Sequence, residues 1–277
     1  MSDPSERAAR IDPRLVRLLG DTAVRYSAQV LVADFLPGGP KLYNGTATLV
    51  QLGSKKFAVT CAHVVAKHRQ IWAKGRRSLF QIGNLRFEPL QQRYTEEPNL
   101  DLVTIELSEL QAEQVIKNEG TDKGFLVPVR WPPAPVSTAD WLGLGGYPGE
   151  WRERETQARV GFKGYSIVAT PVTSVSEFGI SCQFARDRWS WVNRGDNLQD
   201  PVGLGGMSGG PALVWREAPF LHWEFAGIIY EFNCSIDVML LRPAQLLGED
   251  GSISSPPWTN VTRRCEEDDG EEPGNNC

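Results

Sequence analysis

The sequence predicts an all-β fold built from two sets of antiparallel strands, and three observations point there. From Tyr26 onward, short runs rich in valine, leucine, isoleucine, threonine and aromatics alternate with period two. Turn signals such as Pro37-Gly38-Gly39-Pro40 and Gly53-Ser54 separate the runs. A stretch over residues 119–138, with Gly120, Gly124, Pro128, Pro132, Pro133 and Pro135, divides them into two groups. That pattern suits a pair of antiparallel barrels or a sandwich.

The elements follow in order. Residues 1–24 form an N-terminal extension in which Leu15, Leu18 and Leu19 mark a short amphipathic helix. In the first unit, residues 25–125, strands are predicted at 27–35, 42–52, 55–60, 79–82 and 101–107. Residues 61–67 allow one helical turn, and 108–118 a helix with Ser108 as N-cap and Glu113 and Lys117 spaced as an exposed pair. In the second unit, residues 126–250, strands are predicted at 140–144, 155–170, 178–184, 211–214, 223–230 and 236–241, with a short closing helix at 243–247. Residues 251–277 read as an acidic, solvated tail.

Charge and composition exclude several classes. The net charge of −5 arises from the tail, since residues 266–277 hold six acids and no base. The rest of the chain is nearly neutral and offers no basic face for nucleic acid. No run of about 18 apolar residues predicts a membrane span. The N-terminus, Met1-Ser2-Asp3-Pro4-Ser5-Glu6-Arg7, lacks the basic-then-apolar layout of a signal peptide. Cys61, Cys182, Cys234, Cys265 and Cys277 are odd in number and widely spaced, with no Cys-x-x-Cys. Reduced thiols in a cytoplasm are expected. Cys61 and His63 lie two apart, but no second close pair of ligands joins them, so neither a metal nor a cofactor is expected.

One stretch stands apart: Gly205-Gly206-Met207-Ser208-Gly209-Gly210-Pro211, running into the apolar strand Ala212-Leu213-Val214. Glycine serves where backbone takes unusual dihedrals or approaches a ligand. A serine on such a loop, with amides turned inward, is what acyl transfer needs: the hydroxyl attacks a carbonyl and the amides stabilise the oxyanion. Gly143, Gly145 and Gly146 resemble a phosphate loop only loosely, since no Gly-Lys-Ser/Thr follows.

A serine nucleophile needs a base, and the chain has three histidines. His63 ends the apolar run Phe57-Ala58-Val59-Thr60-Cys61-Ala62, where a scaffold presents a side chain to a cleft. His68, between Lys67 and Arg69, is expected to be exposed, and His222, beside Trp223, to pack or lie at the surface. The base needs an orienting group. Asp101 opens the apolar run Leu102-Val103-Thr104-Ile105, and a carboxylate there implies a partner, ahead of Glu96 and Glu97 in a charged loop.

These segments resemble the trypsin-like (chymotrypsin-fold) serine peptidases of the bacterial cytosolic type. Tyr43-Asn44-Gly45-Thr46-Ala47-Thr48-Leu49-Val50 with Val59-Thr60-Cys61-Ala62-His63-Val64 resembles the histidine block, Leu100-Asp101-Leu102-Val103 the aspartate block, and Gly206 to Pro211 the serine block. The order His, Asp, Ser is that of chymotrypsin. The resemblance spans residues 25–245 and implies two antiparallel six-stranded barrels, His63 and Asp101 in the first, Ser208 in the second. It implies Ser208 as nucleophile, His63 as base and then acid, Asp101 as its orienter, and the amides of Gly206 and Ser208 as oxyanion hole. The pocket falls at Val202 and along Tyr230, Glu231 and Phe232. Val202 offers no anchor for a basic side chain, though Glu231 could, and Phe232 stands where it can narrow or cap the pocket. Secreted relatives carry an aspartate before the nucleophile that pairs with a newly cut N-terminus; Met207 stands there, so activation by clipping is not expected. The implied partner is a protein or peptide substrate, with restraint by narrow specificity or a regulatory protein. Two other readings stay open, a catalytically silent binding module and an esterase on the same fold.

Overall fold

The computed structural model describes residues 21–117, 123–154, 160–184, 203–216 and 222–255. Residues 1–20 with Leu15, Leu18 and Leu19, Val202, and residues 256–277 with the acidic run lie outside the described residues, whereas residues 251–255 pack on the body, Ile253 bridging Leu247 and Gly251 O accepting from Thr104 Oγ1 (2.5 Å). The chain is all-β, as expected. Its first half runs β1 (Ser27–Leu36), β2 (Gly39–Leu52), β3 (Lys55–Thr60), α1 (Ala62–Ala73), β4 (Ser78–Ile82), β5 (Leu85–Arg86), β6 (Tyr94–Glu97), β7 (Leu102–Leu107) and α2 (Glu109–Ile116). Its second half runs β8 (Trp141–Gly146), β9 (Arg152–Arg154), β10 (Val160–Phe162), β11 (Tyr165–Val175), β12 (Ile180–Gln183), β13 (Pro211–Arg216), β14 (His222–Asn233) and β15 (Val238–Pro243).

The second half closes as a six-stranded antiparallel barrel, β11-β12-β15-β14-β13-β8. The first departs from the expected six-stranded closure. It is a seven-stranded sheet ordered β5-β4-β1-β2-β3-β7-β6, with no ladder joining its ends. The reason is local: β5 lasts two residues before the chain enters a 3-10 turn over Pro89–Gln91, so it ends before it can pair with β6.

Three apolar clusters hold these sheets together. One fills the first sheet and includes Val30, Leu49, Ala58, Phe80 and Ile105. A second fills the closed barrel, with Leu144, Tyr165, Ala212 and Ile229. A third joins the two, with Val50, Phe57, Val59, Leu102, Leu213, Phe225 and Ile228. Successive residues of a strand point to opposite faces, so β3 sends Ala58 to one cluster and Phe57 and Val59 to another. This explains why β3 and β13 read as continuous apolar runs rather than alternating ones: both faces are covered.

Three local expectations change. The turn expected at 61–67 is a twelve-residue helix, because Val64, Val65, His68 and Ile71 recur at helical spacing and are all buried. His68 is therefore not exposed. It is 2% accessible, with Nδ1 at 2.7 Å from Ser78 Oγ and Nε2 at 3.0 and 3.1 Å from the two Glu88 oxygens. The strand expected at 155–170 breaks up, since β9 and β10 form a separate hairpin and β11 starts only at Tyr165. At Gly164, between them, an added Cβ would lie 2.7 Å from Val24 Cγ1. Ser108 does cap α2, in a reciprocal box with Gln111.

Cys61 and Cys182 are free and buried, and burial pushes the Cys182 thiol up to about 12. Cys234, however, is disulfide-bonded. The expectation of wholly reduced cysteines is corrected. Wide spacing in sequence does not bar a bridge, because folding sets the distance between two sulfurs. With a bridge present, cysteine usage no longer argues for a reducing compartment.

Lys123 ties the segment before β1 to β8. Its ammonium donates to Val24 O (2.7 Å), Ser27 O (2.9 Å) and the Tyr147 hydroxyl, and burial lowers its pKa to about 7. Unfolded, the lysine holds its proton to about pH 10.4. Between these values the unfolded chain binds more protons, so this group's contribution to stability grows as pH rises from 7 towards 10. Lys123→Met is expected to remove this rise, a slope of about 1.4 kcal/mol per pH unit. Urea unfolding of both proteins across pH 7–9.5 checks it, and parallel curves would refute it.

Candidate active site

The register of β3 on β7 brings His63 and Asp101 together. Thr60 faces Val103, so the residues just after Thr60 lie beside those just before Leu102. Cys61 caps α1 in extended conformation but offers no side-chain hydrogen bond. Asp101 supplies the missing acceptors from outside the helix. Its carbonyl accepts from Ala62 N (3.2 Å), and its carboxylate Oδ1 from His63 N (2.9 Å). Oδ2 stands 2.7 Å from His63 Nδ1. A carboxylate at a helix N-terminus is favoured by orphan amides and the helix dipole. To reach it, Asp101 takes φ 54°, a left-handed conformation that aspartate tolerates better than most residues. The carboxylate can only accept, so His63 Nδ1 carries the proton and Nε2 is left as an acceptor. The His63 side chain is 54% exposed.

Ser208 arrives from the other half, on the loop before β13. Gly206 (φ 98°) and Gly209 (φ 94°) need glycine both for dihedral and for space. A Cβ on Gly206 would strike Asn44 Nδ2, one on Gly209 the Thr46 carbonyl, and one on Gly210 the Gly145 carbonyl. Amides 207, 209 and 210 donate to Leu204 O (3.0 Å), Ile229 O (2.7 Å) and Met207 O (2.8 Å). Those of Gly206 and Ser208 make no hydrogen bond to any described residue. These are the two amides that the family resemblance implies for an oxyanion hole.

The two halves of the site meet on β14. Ile229 O accepts from Gly209 N, beside Ser208, and from Cys61 Sγ (3.3 Å), two residues from His63. A bulge between Ile229 and Glu231 leaves Tyr230 out of the ladder to β15. Its carbonyl accepts from Ser208 Oγ at 3.3 Å, and Ser208 Oγ makes no bond to His63. Ligand atoms of Cys61, His63 and Asp101 lie within 4.8 Å of one another, the one such group among the described residues. Each already has a hydrogen-bond partner, and burial and the Asp101 carboxylate hold the Cys61 thiol well above its usual pKa.

Of the expected pocket residues, Val202 is outside the described residues. Tyr230 is half-buried, with the Arg242 guanidinium 3.9 Å from its ring centroid. Burial raises its pKa, opposed by the Arg242 charge and aided by the charges of Glu231 and Asp101. Arg242 is fixed by Leu100 O (2.6 Å) and Phe178 O (2.9 Å), tying the β11–β12 turn to the base of Asp101. Glu231 is exposed. Phe232 packs edge-on against Phe184, centroids 5.0 Å apart, at the margin of the barrel core. A cavity of about 460 Å³ opens beside Tyr230, lined also by Ser174, Ser176, Phe178, Leu240 and Arg242.

Sequence reasoning missed Arg242, Thr46 and Thr48. The threonines carried a signal: two hydroxyls at i and i+2 in Thr46-Ala47-Thr48-Leu49-Val50 put a polar pair on one face of a strand whose neighbouring residues Ala47, Leu49 and Val50 are apolar, and such a pair calls for partners.

No protein-family model matches the chain. No curated protein matches it. Among solved structures it is similar to the Rv3671c protease from M. tuberculosis in its active form, at 16% identity, over 84% of this chain and 82% of that one, with a TM-score of 0.41. It is similar to Deg5 at 14% identity, over 84% and 91%, with a TM-score of 0.40. A chain in a structure concerned with the coupled folding and binding of the intrinsically disordered Sesbania mosaic virus VPg protein matches at 12% identity, over 79% and 91%, with a TM-score of 0.37.

Proposed function

We propose that the chain is a serine endopeptidase in which Ser208, His63 and Asp101 act as nucleophile, base and orienter. The observation that carries this reading is that Asp101 orients His63, while their neighbours Cys61 and Gly209 share Ile229 O, which sets His63 near a serine loop whose amides at 206 and 208 make no hydrogen bond to any described residue. Ser208 Oγ leaves Tyr230 O and gives its proton to His63 Nε2 as it attacks the substrate carbonyl. The oxyanion lies against the amides of Gly206 and Ser208, and Asp101 stabilises the imidazolium. His63 then protonates the leaving amine, and water, deprotonated by the same nitrogen, releases the acid.

A fluorophosphonate probe tests this. Labelling confined to Ser208, with hydrolysis of members of a peptide library, is the expected result. Absence of labelling supports the second reading, a catalytically silent module, which the Ser208–Tyr230 bond favours. At 3.3 Å that bond is long, and one rotation about χ1 breaks it. Labelling with hydrolysis of esters alone supports an esterase. For specificity, Glu231 is exposed and Phe232 is committed to packing, so cleavage is not expected to be confined to bonds after arginine or lysine.

A further inference from the structure

Five successive peptide planes of the nucleophile loop are each held by their carbonyl. Gly205 O accepts from Gly149 N (2.6 Å), Gly206 O from Thr46 Oγ1 (2.7 Å) and Met207 O from Gly210 N (2.8 Å). Ser208 O accepts from Thr46 N (2.8 Å) and Gly209 O from Thr48 Oγ1 (2.8 Å). In a planar trans peptide the N–H points away from the C=O, so holding a carbonyl aims the next residue's amide. The bond to Gly205 O aims the Gly206 amide, and the bond to Met207 O aims the Ser208 amide. Between them lies the Gly206–Met207 peptide, whose orientation sets how the amides of Gly206 and Ser208 converge. It hinges on a glycine, for which a flip is cheap.

We infer that the Thr46 hydroxyl is a positioning residue for the oxyanion hole, holding the Gly206–Met207 peptide from the opposite half of the molecule. Thr46 is fully buried, and its polar groups are committed: Oγ1 also accepts from Tyr147 N (3.0 Å), and its carbonyl accepts from Thr60 Oγ1 (2.7 Å). The hydroxyl therefore has one donor direction, towards Gly206 O. Met207 contributes no charge here, since its side chain is 1% exposed within the barrel core. A neutral hydroxyl from β2 thus does what an ion pair at position 207 would do, with no cut N-terminus required. The inference rests on the serine-peptidase reading, and Thr48 supplies a control. It is an equally buried hydroxyl on the same strand, but it holds a peptide beyond Ser208.

The substrate being unidentified, the test follows the second-order rate of fluorophosphonate labelling, since the phosphoryl oxygen must enter the same hole. Thr46→Val is expected to slow labelling about 10- to 100-fold, less than the 10²–10³ typical of deleting a donor outright. Thr46→Ser should stay close to wild type. Thr48→Val should lower the melting temperature as Thr46→Val does, yet label near the wild-type rate. Equal rates for wild type and Thr46→Val overturn the inference, as does a loss in Thr48→Val or Thr46→Ser matching that of Thr46→Val. Should Thr46→Val not fold, Thr46→Cys, a weaker donor of serine's shape, is read against Thr46→Ser in its place. Failure of the wild type to label overturns the peptidase reading itself, and this inference with it.

Discussion

Ser208→Ala is expected to fold as the wild type does and to lose peptide turnover by about six orders of magnitude, the scale of removing a serine nucleophile elsewhere. The fold is insensitive because the Ser208 side chain makes one hydrogen bond, a long one to Tyr230 O, while the loop is held through backbone groups at 205, 206, 207, 208 and 209. Alanine keeps all of these. Residual activity should come from the amides of Gly206 and Ser208 and from substrate binding alone. Steady-state kinetics on a cleaved library peptide, with circular dichroism and a melting curve, make the measurement. Turnover within tenfold of wild type would remove Ser208 from the chemistry and leave the glycine loop a structural turn.

The serine loop was legible because its constraints are local. Gly206, Gly209 and Gly210 each sit where a Cβ would meet a fixed neighbour, so the pattern is forced residue by residue. His63 and Asp101 were legible as strand-end residues, but not as a capping pair. Nothing in Cys61-Ala62-His63 says that the helix lacks its own cap, or that a carboxylate 38 residues away supplies it. The register of two strands decides that. Helix α1 was underestimated because its buried face includes a histidine, which reads as polar until Ser78 and Glu88 are placed against it.

Strand spacing left a barrel or a sandwich open for the second half and only the motif resemblance implied the closed barrel, whereas the open edge of the first sheet was not legible at all. Closure depends on whether β5 runs long enough to pair with β6, and the turn at Pro89–Gln91 ends it. The Tyr230 bulge was equally hidden, since one unpaired residue leaves no trace in an alternating pattern. Interactions between the halves fared worst. Thr46 to Gly206 O spans 160 positions and Arg242 to Leu100 O spans 142, and both are set by docking across the third apolar cluster.

Asp101→Asn is expected to lower turnover about 10⁴-fold while costing little stability, and the two effects have one origin. The Asp101 carboxylate accepts twice from the same residue, at His63 N and His63 Nδ1. Asparagine has one acceptor and one donor group in that place. The backbone amide of His63 can only donate, so the amide oxygen turns to it, and the helix keeps a cap about as good as the original. The NH₂ group must then face Nδ1, which can receive it only by giving up its proton. The imidazole shifts to the tautomer with hydrogen on Nε2, where it cannot take a proton from Ser208. Kinetics and thermal unfolding read together separate this from a folding defect: kcat should fall with the melting temperature nearly unchanged. Asp101→Ala should instead lower both, because alanine loses the cap, about 1 kcal/mol, and tolerates φ 54° less well than aspartate. Turnover in Asp101→Asn within tenfold of wild type would reduce Asp101 to a helix cap and leave His63 without an orienter.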